Sequence, residues 1–530
     1  MHRLHQLLGR TLAARATHVA LVDTAGRSID YEGFARTVCE LAATLAQSGV
    51  EPGDRVAVYL PKHPLAAALP FAASLLGAVF VPVNPTLKAL QAGHVLRDAG
   101  AVALLSAPAR LAGLTAELAT LPELRAVLLS EEEGAGAAAA LSRLELVAWN
   151  AGAARADVAT LSGAAAGDPD ELAALLYTSG STGLSKGVMI THANLLAGSR
   201  SVVEYLEIDP RDVLLAALPF SFDYGLNQLI TSVEVGATCV LHDYFLPRDL
   251  LTAIERYGVT GLAGVPTLWA QVAAAAAPGA SWHGLRYFTN SGGALPSRVL
   301  ADLRRLFPAA APYLMYGLTE AFRSTYLPPA LVDERPGSIG RAIPGAEILV
   351  VKDDGSPAAA GEEGELVHCG PLVSRGYWQA PEVTARRFRP RPGPLPADGT
   401  PELAVWSGDI VRLDADGFLY FVGRRDGLIK TSGYRVSPDE IEEVVYAEPG
   451  VREACAFGVP DETLGQRIVL VYTASATAPA TVEALVAACR QRLPAWMVPA
   501  LVKCVDELPK NANGKPDRGA LAHAHAAGTL

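Results

Sequence analysis

Residues 178–188 read Thr-Ser-Gly-Ser-Thr-Gly-Leu-Ser-Lys-Gly-Val. An apolar run, Leu172 to Leu176, precedes them, and a helix is expected to begin near His192. Small hydroxyl residues and glycines between a strand and a helix let backbone N–H groups converge on an anion. Lys186 adds a point charge. The loop departs from G-x-x-x-x-G-K-[ST], because no glycine immediately precedes Lys186 and Gly187 follows it. It also departs from G-x-G-x-x-G, so the ordinary phosphate-loop and dinucleotide fingerprints both fail. Standing alone, the stretch has a bland alternative, a flexible surface loop.

Working outward, short apolar runs of strand length alternate with amphipathic segments up to about residue 350. Arg55 to Leu60, Val79 to Val83, Val102 to Ser106 and Ala126 to Ser130 are the clearest runs. Tyr31 to Ser48 and Leu87 to Ala99 lie between them as expected helices. This alternation predicts an α/β fold: a large N-terminal domain of layered, mostly parallel sheets and helices. The uncharged stretch Pro64 to Val83 contains Pro70, Ser74 and Pro82. It reads as a buried helix followed by a strand, Ala78 to Val83, not a bilayer span. Met1 to Ala14 is basic and amphipathic without a continuous apolar run, so it reads as a first surface helix and not a secretory signal. Glu131 to Ala140 looks like a surface loop, and Arg389 to Pro401 is a Pro/Gly-rich connector. Gly417 to Gly423 reads as a strand. Ser437-Pro-Asp-Glu440 reads as a helix start, with Ser437 as N-cap, Pro438 at N1 and Glu440 at N3. The last hundred or so residues are expected to form a small, mobile α+β domain. The boundary is placed near Asp426, giving units 1–425 and 426–530.

The chain of 530 residues carries a net charge of −11, with half its residues hydrophobic and 19% charged. That excludes a disordered tail, and the length suits two to four domains at roughly 150 residues each. A net acidic surface with no Lys/Arg-rich block argues against nucleic-acid binding. The six cysteines are scattered without a CxxC pair. A disulfide framework or zinc site is therefore not expected, and a reducing, cytoplasmic setting fits.

Further motifs follow the opening loop. They are Ser291-Gly-Gly-Ala-Leu-Pro296, Tyr316-Gly-Leu-Thr-Glu320, Trp406-Ser-Gly-Asp409, Gly423-Arg-Arg-Asp-Gly-Leu-Ile-Lys-Thr-Ser-Gly-Tyr-Arg435 and Asn513-Gly-Lys-Pro-Asp517. In this order the chain, from about residue 20 to 520, resembles the adenylate-forming superfamily. That superfamily includes acyl-CoA synthetases, peptide-synthetase adenylation domains and firefly luciferase. The resemblance implies an AMP-forming ligase that joins a carboxylate to ATP and passes the acyl group to a thiol. Thr178, Ser179, Gly180, Ser181, Thr182, Gly183 and Lys186 would cradle phosphates. Gly292, Gly293 and Ala294 would lie along the adenine, with Tyr316 and Gly317 beside the nucleotide. Asp409 would accept both ribose hydroxyls, which suits a carboxylate, and Arg424 would help hold the ribose. Thr319 would contact the α-phosphate. Glu320 would bind Mg²⁺, with Thr182 supporting that ion or a phosphate, because Mg²⁺ on phosphates needs only one or two protein oxygens. Lys515 would be the catalytic lysine. Two unit charges about 4 Å apart interact by roughly 4 kcal/mol at an effective dielectric near 20, so a placed cation matters when two anions react. Asp426 matches the hinge, and Ser432, Gly433 and Tyr434 match the loop where the pantetheine thiol arrives. Lys430 reads either as a stabiliser of one domain orientation or as an ordinary surface lysine.

The acid is less legible. Leu218-Pro-Phe-Ser-Phe-Asp-Tyr-Gly225 lies where fatty and aryl acid ligases carry Pro-x-Phe-His, and it has no histidine. Phe222-Asp223 resembles amino-acid-activating domains, where the carboxylate pairs with the substrate ammonium. Asp223 reads either in that way or as the cap of a helix beginning at Tyr224. Tyr224 and Asn227 are lining candidates, and Tyr224 reads equally as core packing. Residues 221–229 also have a looser likeness to free-standing prolyl-AMP ligases and to bacterial AMP-forming acyl-CoA ligases. The expectation is activation of a small amino acid, proline first, and its transfer to the phosphopantetheine thiol of a separate carrier protein. An acyl-CoA synthetase using a short or medium acid is the alternative, and a non-catalytic nucleotide-binding regulator is the remote one. ATP and Mg²⁺ are the expected cofactors, with CoA or the carrier thiol as acceptor.

Overall fold

The computed structural model describes residues 2–130, 141, 143–152, 157–163, 167–178, 185–393, 401–425, 427–431, 434–461, 464–476, 478–493, 495–511 and 514–530. The stretch Glu131 to Ala140, most of the Pro/Gly-rich connector and Asp426 lie outside the described residues. The apolar runs form strands within a residue or two of expectation. Arg55–Tyr59, Val79–Pro82, Ala101–Ser106 and Ala126–Leu129 all lie in one seven-stranded sheet. Every neighbouring pair in it is parallel except Leu172–Thr178 with Lys186–Thr191, which is antiparallel.

A second, 14-stranded sheet holds the rest of the large unit. Its strands Val213–Ala216, Gly261–Gly264, Tyr287–Asn290 and Ala311–Tyr316 pair in parallel, in that order. From Thr325–Leu327 onward the pairing turns antiparallel, through to Leu403–Leu413 against Leu419–Arg424. The mostly parallel reading therefore holds for residues up to about 316 and not for the hundred that follow. Short connections there permit hairpins, whereas parallel pairing needs long crossovers.

Helices fill the space between the two sheets. The helix Pro64–Leu76 is buried along nearly its whole length, as its uncharged sequence requires, and Pro70 sits inside it. The N-terminal helix, His5–Arg15, is not a surface helix: Leu4, Leu7 and Leu8 are fully buried in the main core. The apolar positions of this segment pack beside Asp223–Val235, a helix buried on all sides through Val233.

After Leu419–Arg424 the chain changes sheet. Ile429–Thr431 opens a smaller sheet with Tyr434–Val436, Gly465–Ala474, Val451–Asp461 and Leu501–Cys504. The helix Pro438–Tyr446 begins with Ser437 as N-cap and Pro438 at N1, but the Ser437 side chain makes no cap hydrogen bond. The C-terminal unit touches the large one through Glu443, whose Oε1 accepts a hydrogen bond from Ser297 Oγ at 2.7 Å. Arg298 Nη2 also donates to the Val451 carbonyl at 3.3 Å. All six cysteines are free. Among the described residues no helix is long and apolar enough to cross a membrane.

Candidate active site

Four segments converge at the ends of the parallel strands. Tyr316 ends the strand Ala311–Tyr316, and a single 3₁₀ turn, Thr319–Ala321, follows it. This turn places Glu320 in a nearly buried position, where its Oε1 accepts a hydrogen bond from Tyr377 Oη at 2.5 Å. Tyr377 arrives because residues 376–378 pair with the strand Lys186–Thr191: Met189 N donates to the Gly376 carbonyl and Trp378 N to the Gly187 carbonyl. The hairpin of Leu172–Thr178 with Lys186–Thr191 and Glu320 are thereby tied together. Thr178 and Lys186 face each other at the base of that hairpin. Ser179, Gly180, Ser181, Thr182 and Gly183 lie outside the described residues.

Asp409 and Arg424 stand opposite each other on adjacent antiparallel strands. Arg424 Nε is 3.0 Å from Asp409 Oδ1, and Tyr316 Oη donates to Asp409 Oδ2. Burial nevertheless pushes the Asp409 carboxyl above the usual carboxylate range, with Arg424 and Tyr316 opposing. A buried carboxylate of this kind is suited to polar hydroxyl donors.

Lys515 comes from the other unit. It sits on a tight hairpin in which Asn511 N donates to the Lys515 carbonyl at 2.8 Å and Lys515 N to Asn511 Oδ1 at 3.1 Å. The turn requires Gly514 at φ +75°, a left-handed conformation that glycine adopts without strain. A Cβ built on Gly292 would stand 3.6–3.7 Å from Lys515 Cε and Nζ, so the ammonium reaches the Ser291–Gly292 loop. Burial first, then Arg424, holds the Lys515 pKa below the usual lysine range, while Asp409 and Asp439 oppose the shift. Asn513, Asp426, Ser432 and Gly433 lie outside the described residues, and Tyr434 begins the strand Tyr434–Val436.

At the acid end, the helix begins at Asp223 itself, with Phe222 in the N-cap position. Asp223 therefore is not the cap of a helix starting at Tyr224. Its charge in the first turn complements the helix dipole. Gly225 is required here, since a Cβ would come 2.2 Å from the Pro219 carbonyl oxygen. Asp223 Oδ2 accepts a hydrogen bond from Arg323 Nη1 at 2.6 Å, and both side chains are 4% exposed. Thr319 Oγ1 donates to Asp223 Oδ1 at 3.4 Å, which links this pair to the turn bearing Glu320. Burial raises the Asp223 pKa, with Arg323 the main opposing influence. Tyr224 Oη bonds Thr289 Oγ1, and its ring packs under the Arg323 guanidinium at 4.8 Å. Asn227 lies one helical turn beyond Asp223 and is buried. Phe322, between the Glu320 turn and Arg323, is fully buried at φ +56°, a strained conformation for a bulky residue.

Sequence reasoning did not find Arg323 or Tyr377. Neither lies in a recognised motif, and each acts through a residue 100 or 57 positions away. The only available signal for Arg323 was its place three residues after Glu320.

Among the described residues, no cluster of three or more His, Cys, Asp or Glu side chains is arranged for a metal. A divalent ion here would be held by Glu320 together with oxygens of a nucleotide. Glu320 fits this, because Tyr377 bonds only its Oε1.

Comparison with known proteins places the whole chain. The AMP-binding enzyme family matches residues 8–378, and the AMP-binding enzyme C-terminal domain matches residues 440–515. The chain belongs to the AMP-binding enzyme family, the adenylate-forming acid–thiol ligases. Feruloyl-CoA synthase of Amycolatopsis sp is 32% identical over 512 residues, 96% of each chain. L-proline--[L-prolyl-carrier protein] ligase of Pseudomonas fluorescens is 32% identical over 530 residues, 98% of this chain and 99% of its own. Among solved structures, o-succinylbenzoate coenzyme A synthetase of Bacillus subtilis, in complex with ATP and magnesium ion, has a TM-score of 0.78 at 26% identity. That match covers 96% of this chain and 98% of that one.

Proposed function

We infer that the chain couples ATP to a small carboxylic acid, releasing pyrophosphate and forming an acyl-adenylate, and then passes the acyl group to a thiol. The observation that carries this reading is Lys515, delivered by the C-terminal unit to the Gly292 loop beside Asp409. A fixed ammonium in a crevice lowers the cost of bringing a carboxylate to a polyphosphate. Asp409 and Arg424 hold the ribose. Thr319 steadies the α-phosphate, and the loop from Thr178 to Lys186 takes the remaining phosphates. Mg²⁺, when bound at Glu320, neutralises phosphate charge, and Tyr377 holds that carboxylate in its rotamer. Asp426 is the hinge between units 1–425 and 426–530. Rotation there brings Ser432, Gly433 and Tyr434 to the thiol.

The acceptor favoured is CoA, with an acid that carries no ammonium. Asp223 already has a counter-charge in Arg323, so the pair is neutral and a substrate cation would face the guanidinium. A second reading, proline or another small amino acid passed to a separate carrier protein, is supported by the full-length likeness to the prolyl-carrier ligase. It requires Arg323 to give up Asp223. ATP–pyrophosphate exchange decides between them, with proline, other small amino acids, their deaminated analogues and several fatty acids. Exchange confined to simple acids, followed by CoA-dependent AMP release, is the expected result. Exchange confined to an amino acid restores the second reading, and no exchange with any acid removes both.

A further inference from the structure

We propose that the helix Ala89–Ala99 braces the hairpin that takes the nucleotide's β- and γ-phosphates, with His94, Asp98 and Tyr177 as positioning residues. The inference rests on the reading above that Thr178 to Lys186 holds those phosphates, and it names what fixes the two ends of that stretch.

His94 and Asp98 are four residues apart on the helix, so they lie on one face, one turn apart. Each holds a different leg of the hairpin. His94 Nε2 is 2.9 Å from the carbonyl oxygen of Ser185, the residue before Lys186. A carbonyl only accepts, so the His94 ring carries a proton on Nε2 and donates it. Tyr177, the residue before Thr178, donates from Oη to Asp98 Oδ2 at 2.7 Å. Burial, then Asp98, pushes the Tyr177 pKa up, so the phenol stays a donor. A Cβ on Gly187 would stand 3.1 Å from Tyr177 Cζ, and the missing side chain leaves room for that ring. Thr178 pairs with Lys186, so both ends of the stretch between them are gripped one residue away.

The brace has a fixed footing. On its other face the helix buries Ala92, Val95, Leu96 and Ala99 in an apolar cluster with Leu104. The Asp98 carbonyl accepts from Trp378 Nε1 at 3.0 Å, and Trp378 N donates to the Gly187 carbonyl at 2.8 Å. Trp378 follows Tyr377, which holds Glu320. One helix therefore sets where Lys186 stands relative to Glu320. Strand pairing alone closes the hairpin, whereas the bonds to His94 and Asp98 fix its direction. Groups already held in place lose less freedom when a polyphosphate binds.

The test compares binding of MgATP and of AMP to the full chain by isothermal titration calorimetry, which needs no acid. AMP lacks the two phosphates in question. His94→Leu and Tyr177→Phe should each weaken MgATP by about three- to ten-fold, the range of one lost hydrogen bond, and leave AMP within about two-fold. His94→Gln, whose side-chain amide keeps a donor at similar reach, should stay within about two-fold of the wild type for both ligands. In a Lys186→Ala background the effect of His94→Leu should shrink, because residues that act through one another are not additive. Wild-type affinity for MgATP in either single variant overturns the role of the residue replaced. Equal weakening of MgATP and AMP, or an undiminished effect without Lys186, overturns the positioning role and leaves a purely structural one. Should His94→Leu fail to fold, Tyr177→Phe, which removes a single oxygen, decides alone. No pyrophosphate exchange with any acid, while MgATP and AMP behave as expected, overturns the ligase reading and leaves the brace standing. No binding of MgATP by the wild type overturns both.

Discussion

The nucleotide end and the acid end of the crevice handle buried charge in opposite ways. At the nucleotide end, Asp409 and Lys515 come from separate units and are held near one another without a direct bridge, each pushed toward its neutral form by burial. Their charges are positioned for a ligand. At the acid end, Asp223 and Arg323 are closed on each other at 2.6 Å in the protein interior. A pair of that kind contributes little net stability, because desolvation offsets the attraction. What it can contribute is shape and polarity: a neutral wall with a fixed donor. The contrast is one of exposure and origin: Asp409 is paired with the half-exposed Arg424 and approached by a lysine from another unit, whereas Asp223 and Arg323 are both buried and closed on each other.

Substitutions in the two clusters should have different consequences. Arg323→Met should have the largest effect, since it leaves Asp223 buried and unpaired. The expected loss is about 3–5 kcal/mol in denaturant unfolding, with much of it restored in the double variant with Asp223→Asn. If the single variant keeps full stability, Asp223 and Arg323 do not depend on each other. Lys515→Gln should act on rate and not on stability, lowering pyrophosphate exchange by about 10²–10³-fold with Tm unchanged. A drop in Tm comparable to that of Arg323→Met would make the two ends alike.

The same lysine sets a pH limit. Because its pKa lies below the ordinary lysine range, its ammonium is lost as pH rises through that lowered value. The alkaline fall in exchange rate should therefore begin at lower pH than an exposed lysine would give, and it should be absent from the residual rate of Lys515→Gln. Tyr377→Phe frees Glu320 Oε1 and should raise the Mg²⁺ concentration needed for half-maximal exchange by about ten-fold. The smallest effect is expected at the seam between the units. Ser297→Ala removes an exposed hydrogen bond to Glu443 and should slow adenylation by a factor of about two to five, the range of a surface contact.

Much of what the fold gathers around Asp409 and Lys515 was legible in the chain itself. Glu320, Asp409, Arg424 and Lys515 each sit in a short motif with glycine nearby, because backbone must approach a ligand or turn sharply at those points. Strands such as Val79–Pro82 and Ala126–Leu129 were legible for a related reason, as buried parallel strands are continuous apolar runs. The N-terminal helix was misjudged. Its basic residues suggested a surface, but Leu4, Leu7 and Leu8 pack wholly inside. Ser437 was placed correctly as an N-cap without forming the expected side-chain bond.

Local pattern alone determined the alternation of strand and helix and the order of the motifs. Each of these depends on neighbours within a dozen residues. Tertiary structure decided that Asp223 meets Arg323, that Tyr377 meets Glu320, and that Arg323 Nη2 and Asn227 Oδ1 are buried without a partner among the described residues. Those relations join residues far apart in the chain, and burial gives them their force. Exposed, an Asp and an Arg are two solvated charges, and only removal from water makes their pairing, or their lack of a partner, matter.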